Sequence, residues 1–232
     1  PKLSLKIAPN YTKDMSNEEL KLDINNIYSI NRISQNDVIE GGVSITYGND
    51  FSIFNKESSR ELLSIKLANN LRLKENNDLP QNNDINQKTS DFFGEISLNP
   101  NKYFSTKYNA SVKNNLSDIT NENLISEFKI NNFVTSFDYL NENNTTNKIS
   151  YLTTKAKYSL DSSNSIEFSS RENKTTDLTE YYNFVYKYKN DCLAASIEYN
   201  KDFYNDRDVK PDESIFLKLT IIPLGESSSP NF

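Results

Sequence analysis

Tyr181 to Gly225 reads YYNFVYKYKNDCLAASIEYNKDFYNDRDVKPDESIFLKLTIIPLG, and its period decides the fold. Tyr182, Phe184, Tyr186 and Tyr188 alternate with Asn183, Lys187 and Lys189. After a tight turn at Lys189-Asn190-Asp191, Leu193, Ala195, Ile197 and Tyr199 alternate with Cys192, Ala194, Ser196, Glu198 and Asn200. A charged loop, Asn205 to Pro211, leads to a third run in which Ile215, Leu217, Leu219 and Ile221 alternate with Ser214, Lys218 and Thr220. A period of two sends successive side chains to opposite faces of a sheet. The stretch therefore predicts three strands with one aromatic, apolar face and one polar face.

The same period extends upstream. The clearest run is Leu63, Ile65, Leu67, Leu71 and Leu73 against Ser64, Lys66, Asn70 and Arg72. A helix would scatter those leucines around its circumference, so the run is a strand. Strands are also predicted at Lys2 to Ala8, at Val43 to Phe54, and on Phe92, Ile96 and Leu98, ended by the turn Asn99-Pro100-Asn101-Lys102. Others carry Phe104 to Val112, Leu124 to Ile130, Phe133 to Tyr139, Leu152 to Leu160, and Ile166 and Phe168. The total is about twelve.

The connections differ by end. A long polar connection, 9–42, follows the first strand, and an Asn-rich loop, Lys74 to Asp91, follows the third. Loops Asn114 to Asn121, Asn141 to Asn147, Arg171 to Asp177 and Asn205 to Pro211 follow later odd strands, and short turns follow the even ones. Strands of about nine to twelve residues that are apolar on one face, with tight turns at one end and long loops at the other, are the pattern of an outer-membrane β-barrel. Short turns face the periplasm in such barrels, which puts the C-terminus there. A soluble, carbohydrate-binding β-sandwich with one wet face fits each strand taken alone.

Composition narrows the classes. The chain has 232 residues, a hydrophobic fraction of 35% and a mean hydropathy of -0.72, low for a packed core of this size, while 12% aromatic residues argue against disorder. A net charge of -6 speaks against nucleic acid as a partner. There is no His, hence no imidazole acid–base or metal chemistry. No run of about 18 apolar residues exists to form a spanning helix. No carboxylate pair stands out by spacing and no Gly-rich phosphate loop occurs, so no enzyme and no cofactor are expected. The chain begins inside a strand, so a piece of a longer protein is expected, and its one cysteine cannot bridge internally.

Two segments carry a resemblance. Asn26 to Gly48, NIYSINRISQNDVIEGGVSITYG, and Tyr188 to Gly225 resemble the LptD family of lipopolysaccharide-assembly proteins. Asn26, Tyr28, Ser29, Asn31, Arg32, Asp37, Glu40, Gly42, Tyr47 and Gly48 align with the family's first pattern, and Gln35, Asn36 and Val38 depart from it. Asp191, Cys192, Asp206, Arg207, Asp208, Pro211, Leu224 and Gly225 match the second.

The resemblance implies an all-β chain: an antiparallel transmembrane β-barrel, these being about twelve C-terminal strands of a barrel of about 26. Residues 1–225 would be wall and 226–232 a periplasmic tail, in the outer membrane of a Gram-negative cell. It further implies lipopolysaccharide as cargo, an LptE-like lipoprotein plug, a periplasmic Lpt bridge reached through an upstream jellyroll, and the barrel-assembly machinery as partners. Ser214, Ile215, Phe216, Leu217, Lys218, Leu219, Thr220, Ile221, Ile222 and Pro223 would form one side of a lateral gate. Pro223 cannot donate a ladder hydrogen bond, which either weakens that seam or simply ends the strand.

Cys192 is either a free thiol or, as the resemblance implies, bonded to an upstream cysteine in the oxidising periplasm. Asp206, Arg207 and Asp208 are either a solvated turn or an ion-pair network beside the gate. Asn31, Arg32, Asp37 and Glu40 either pack their own loop or turn inward to meet the plug. A self-contained porin-like or autotransporter barrel of about twelve strands remains the alternative.

Overall fold

The computed structural model describes residues 1–232 except 10, 19, 21, 34–37, 82, 144–147, 204–210 and 223–232. Its strands are β1 (Lys2–Ala8), β2 (Gly42–Phe54), β3 (Glu61–Arg72), β4 (Phe92–Asn101), β5 (Phe104–Val112), β6 (Ile119–Ile130), β7 (Phe133–Asn143), β8 (Lys148–Ser159), β9 (Asn164–Asn173), β10 (Leu178–Lys189), β11 (Leu193–Asp202) and β12 (Glu213–Ile221). They form one antiparallel sheet in sequence order, with β1 and β12 as its edges. The chain is all-β, and a meander of this kind is the arrangement of a barrel-wall segment. No helix among the described residues is long and apolar enough to cross a membrane.

Register explains why each strand alternates. Between β3 and β4, Leu63 faces Leu98 and Ile65 faces Ile96 on one side, while Ser64 faces Ser97 and Lys66 faces Glu95 on the other. Between β9 and β10, Phe168 faces Phe184 and Ile166 faces Tyr186, with Ser169 opposite Asn183 on the second side. β11 and β12 continue both rows through Ile197 with Leu217 and Ser196 with Lys218. A slip by one residue would exchange the two faces, so the pattern holds the register. The apolar side stays open: Leu67, Ile197, Leu217 and Leu219 are all more than half exposed. Within each unit, exposed apolar rows of this kind mark contact with membrane or protein.

Several boundaries differ from expectation. β4 runs through Pro100 to Asn101, so the turn is at 102–103; Pro sits where the register with β5 breaks between Leu98 and Asn101, and no ladder N–H is needed there. β7 extends to Asn143 and β9 to Asn173, which leaves the connections 144–147 and 174–177 no longer than the turn 160–163. The contrast in connection length is thus carried by 9–41, 73–91 and 203–212.

The chain divides into two compact units. One is Pro1–Ile125 with Leu140–Ile149, the other Ser126–Tyr139 with Ser150–Phe232. The first contains a core that the reading of 9–42 as a polar connection did not anticipate. Met15, Leu20, Leu22, Ile24, Ile27, Ile33 and Val38 from loop 9–41, with Leu79 and Ile85 from loop 73–91, pack on Ala68 of β3 and Phe93 of β4. Ala68 and Phe93 are cross-strand partners on the same side as the Lys66–Glu95 pair. Both long loops therefore fold down onto the polar face. Of the second unit's described hydrophobic residues, Val185 alone is buried.

Candidate functional site

Besides its apolar contacts, loop 9–41 is joined to the strands by charge, centred on one carboxylate. Glu40 is 1% exposed. Its Oε2 accepts from Arg32 Nε and from Lys6 Nζ, both at 2.8 Å. Its Oε1 accepts from the Nη2 groups of Arg32 and Arg72. Arg32 also donates to Ser44 Oγ at 3.0 Å, Thr46 Oγ1 at 3.4 Å and Asn70 Oδ1 at 2.6 Å. Arg72 donates to the carbonyls of Gly41 at 2.8 Å and Ile85 at 3.1 Å. A buried charge is tolerable only when its hydrogen-bonding capacity is filled, and here both oxygens of Glu40 have two donors. Burial pushes the Glu40 carboxyl up, but the hydrogen bond and charge of Arg32, then those of Lys6, outweigh it and hold the group at about 2.

The loop reaches this geometry by local means. Asp23 Oδ1 accepts from the N–H groups of Asn25 at 2.7 Å and Asn26 at 3.1 Å, which starts a turn that buries Ile27. Asn31 Nδ2 donates to Val38 O at 3.1 Å, bringing the flanks of Arg32 and Glu40 together. At Gly41 the returning chain passes so close that a Cβ would lie 2.6 Å from Pro9 O; Gly42 has a φ of 94°, a conformation that favours glycine. Gly48 of β2 leaves room for Tyr28, whose hydroxyl occupies the space a Cβ would need.

Sequence reasoning selected Arg32 and Glu40 and missed Lys6 and Arg72. The missing signal is register: Lys6 pairs with Ser44 and Ser44 with Arg72, so the two cations share one cross-strand row with the serine that Arg32 touches. Asn31 is exposed and touches neither charge in that row. Asp37, Asp206, Arg207, Asp208 and Pro223 lie outside the described residues.

The rest of the polar face is laced by ion pairs. Lys66 and Lys107 flank Glu95 at 2.8 and 2.7 Å; in the second unit Lys157 and Lys187 flank Glu167 at 3.1 and 2.6 Å. Lys218 of β12 reaches Glu198 at 2.9 Å. Each of these pairs joins neighbouring strands across the polar face. No group of three acidic, His or Cys side chains suited to a metal occurs among the described residues.

β12 carries the expected gate residues. Leu217, Leu219, Ile215 and Ile221 are exposed on the apolar side, Ser214, Phe216, Lys218 and Thr220 lie on the other, and Ile222 N donates to Cys192 O at 3.0 Å just past the strand. Cys192 is exposed in the turn before β11, where its N–H donates to Asn190 Oδ1 at 2.9 Å.

Compared with known families, the chain matches the one described as LptD, LPS transport system D, over residues 9–173, which is more than half of it. The matched region contains the Asn26 to Gly48 segment and ends before the Tyr188 to Gly225 segment. No curated protein matches the chain.

Proposed function

The chain belongs to the LptD family of the LPS transport system, outer-membrane proteins that move lipopolysaccharide, and from that premise we propose that it forms part of a barrel wall with β12 on one side of a lateral gate. The observation that carries the proposal is the sorting of side chains along the last strands: apolar, exposed Leu217 and Leu219 on one face and Lys218, paired with Glu198, on the other. An amphipathic lipid needs both kinds of surface at one seam. Acyl chains would pass along the apolar face into the bilayer, and sugars would stay with the hydrated wall.

On this reading the polar face is the lumen, and loops 9–41 and 73–91 fold inward. A lipoprotein plug would meet the exposed surface of these loops, while Arg32 and Glu40 hold them to the wall. The upstream periplasmic domain would receive cargo from the Lpt bridge, tied to the barrel through Cys192. The C-terminus would lie in the periplasm, as the rule for short turns requires. The family match favours this arrangement over a self-contained porin.

Photo-crosslinking tests it. A photoreactive residue at Phe216 and another at Leu217, in the full-length protein in cells, should both capture lipopolysaccharide during transport. Normal transport with no lipopolysaccharide adduct at any position along β12 would remove the gate assignment while leaving the family role intact.

A further inference from the structure

Asp91, the last residue before β4, has no exposed surface. Its Oδ2 accepts from Thr120 Oγ1 at 2.9 Å. Its Oδ1 is buried and takes no hydrogen bond. Lys113 Nζ lies 3.7 Å from that oxygen and 3.0 Å from Asp84 Oδ2, so one ammonium serves two carboxylates. Asn83 adjoins them: its main-chain oxygen accepts from Asp91 N at 3.1 Å, and its Nδ2 donates to Leu20 O at 2.7 Å. The remaining amide oxygen, Oδ1 of a side chain only 5% exposed, is buried with no partner.

Two carboxylates sharing one cation are a charge short; one of their own oxygens, Asp91 Oδ1, is buried without a donor, and so is Oδ1 of Asn83, whose main chain binds Asp91 N–H. Such atoms ordinarily find a proton, a water or an ion. Burial is the main reason Asp91 is pushed up to about 6, with the Asp84 charge adding to it and Lys113 opposing it. We propose that Asp84, Asp91 and Asn83 form a binding site for a hard divalent cation, calcium by its donor chemistry, which takes the place of the Lys113 ammonium.

The donors are carboxylate and amide oxygens, with neither nitrogen nor sulfur among them, which suits calcium and disfavours zinc or copper. Calcium also accepts irregular geometry and completes its shell with water, where magnesium demands a near-ideal octahedron. One calcium neutralises both carboxylates; one lysine leaves a net negative charge. Lys113 follows directly after β5 and its side chain is 28% exposed, so it can swing into solvent. Asp84, 29% exposed, gives the ion its route in. With Asp91 at the base and Asp84 at the mouth, the ion would lock loop 73–91 onto the strands beneath it.

The site does not depend on the transport reading, and its test measures binding alone. The full-length protein, purified from outer membranes in detergent with its partners, is stripped with chelator and titrated with Ca²⁺, with Mg²⁺ in parallel. Saturable calcium binding is expected at ~0.1–1 mM, the range of weak, few-carboxylate sites. Asp84→Asn, at a partly exposed position that should not disturb folding, should weaken binding about tenfold, since affinity follows ligand charge. Lys113→Met should tighten it about tenfold by removing the competing cation. Equal binding in wild type and both variants would assign the ion to co-purified lipid and overturn the proposal. So would the absence of saturable binding in wild type and Lys113→Met.

Discussion

Glu40 is the residue on which the first unit's charge balance turns. Arg32, Arg72 and Lys6 all converge on it, and the side chains of Arg32 and Arg72 are 1% exposed. Glu40→Gln would leave two buried guanidinium groups without their counter-charge, a loss expected to cost about 3–5 kcal/mol. Lys218→Met, at a pair open to water, should change stability by less than about 1 kcal/mol. The temperature at which the folded, fast-migrating band disappears from a gel compares the two; equal midpoints would mean that the cluster contributes nothing. The pH response separates two carboxyls of opposite sign. Glu40 is lowered from 4.5 to about 2 in the fold, so its contribution, about 3 kcal/mol, is complete above pH 4.5 and disappears as pH falls towards 2. Asp91 is raised from 3.8 to about 6, so its ionised form opposes folding above pH 6, and protonation between 6 and 3.8 relieves that. Stability of the calcium-free protein should therefore peak between about pH 4 and 5. Glu40→Gln should flatten the acid side of that peak and Asp91→Asn the other side.

At the scale of the element, the strands were legible and the loops were not. Leu63 to Leu73 and Tyr182 to Tyr188 announce themselves because every second residue meets the same environment. Loop 9–41 has no such period. Its apolar residues, among them Leu20, Leu22, Ile24, Ile27 and Ile33, are dispersed among Asn, Asp and Ser, and the burial of each is set by contacts far along the chain. Asn83 Nδ2 bonding to Leu20 O across the two loops is one such contact. The charge site was half legible for the same reason: Arg32 and Glu40 stand out in a short motif, whereas Lys6 and Arg72 join it only through strand pairing. Ile27→Asp tests whether the loop is an independent layer. Placing a carboxylate at a 1% exposed position should release loop 9–41 to added protease while the strands keep their heat-dependent mobility. Loss of the folded band altogether would show that wall and loop form one cooperative unit.

For the whole molecule, the tether assignment rests on Cys192. In the full-length protein from outer membranes, mobility should differ between reducing and non-reducing gels, and Cys192→Ser should abolish the difference; identical mobility in the wild type would mean that the exposed thiol is free. The edges make a related demand. β1 and β12 each end the sheet with exposed apolar side chains, such as Leu3 at 76% and Ile215 at 73%. Open edges of this length invite pairing with other chains unless neighbouring strands cover them.

The buried loop core gives the two units different relations to their surroundings. Among the described residues, eleven buried hydrophobic ones cluster in the first unit, all on or above the polar face, and water alone is enough to drive that cluster together. The second unit, with Val185 as its single buried hydrophobic among the described residues, has no comparable reason to collapse before it meets an apolar phase. One stretch of polypeptide thus answers to two solvents. Its N-terminal part holds a core that water alone can drive together, and both parts turn apolar side chains such as Leu67 and Leu217 outward.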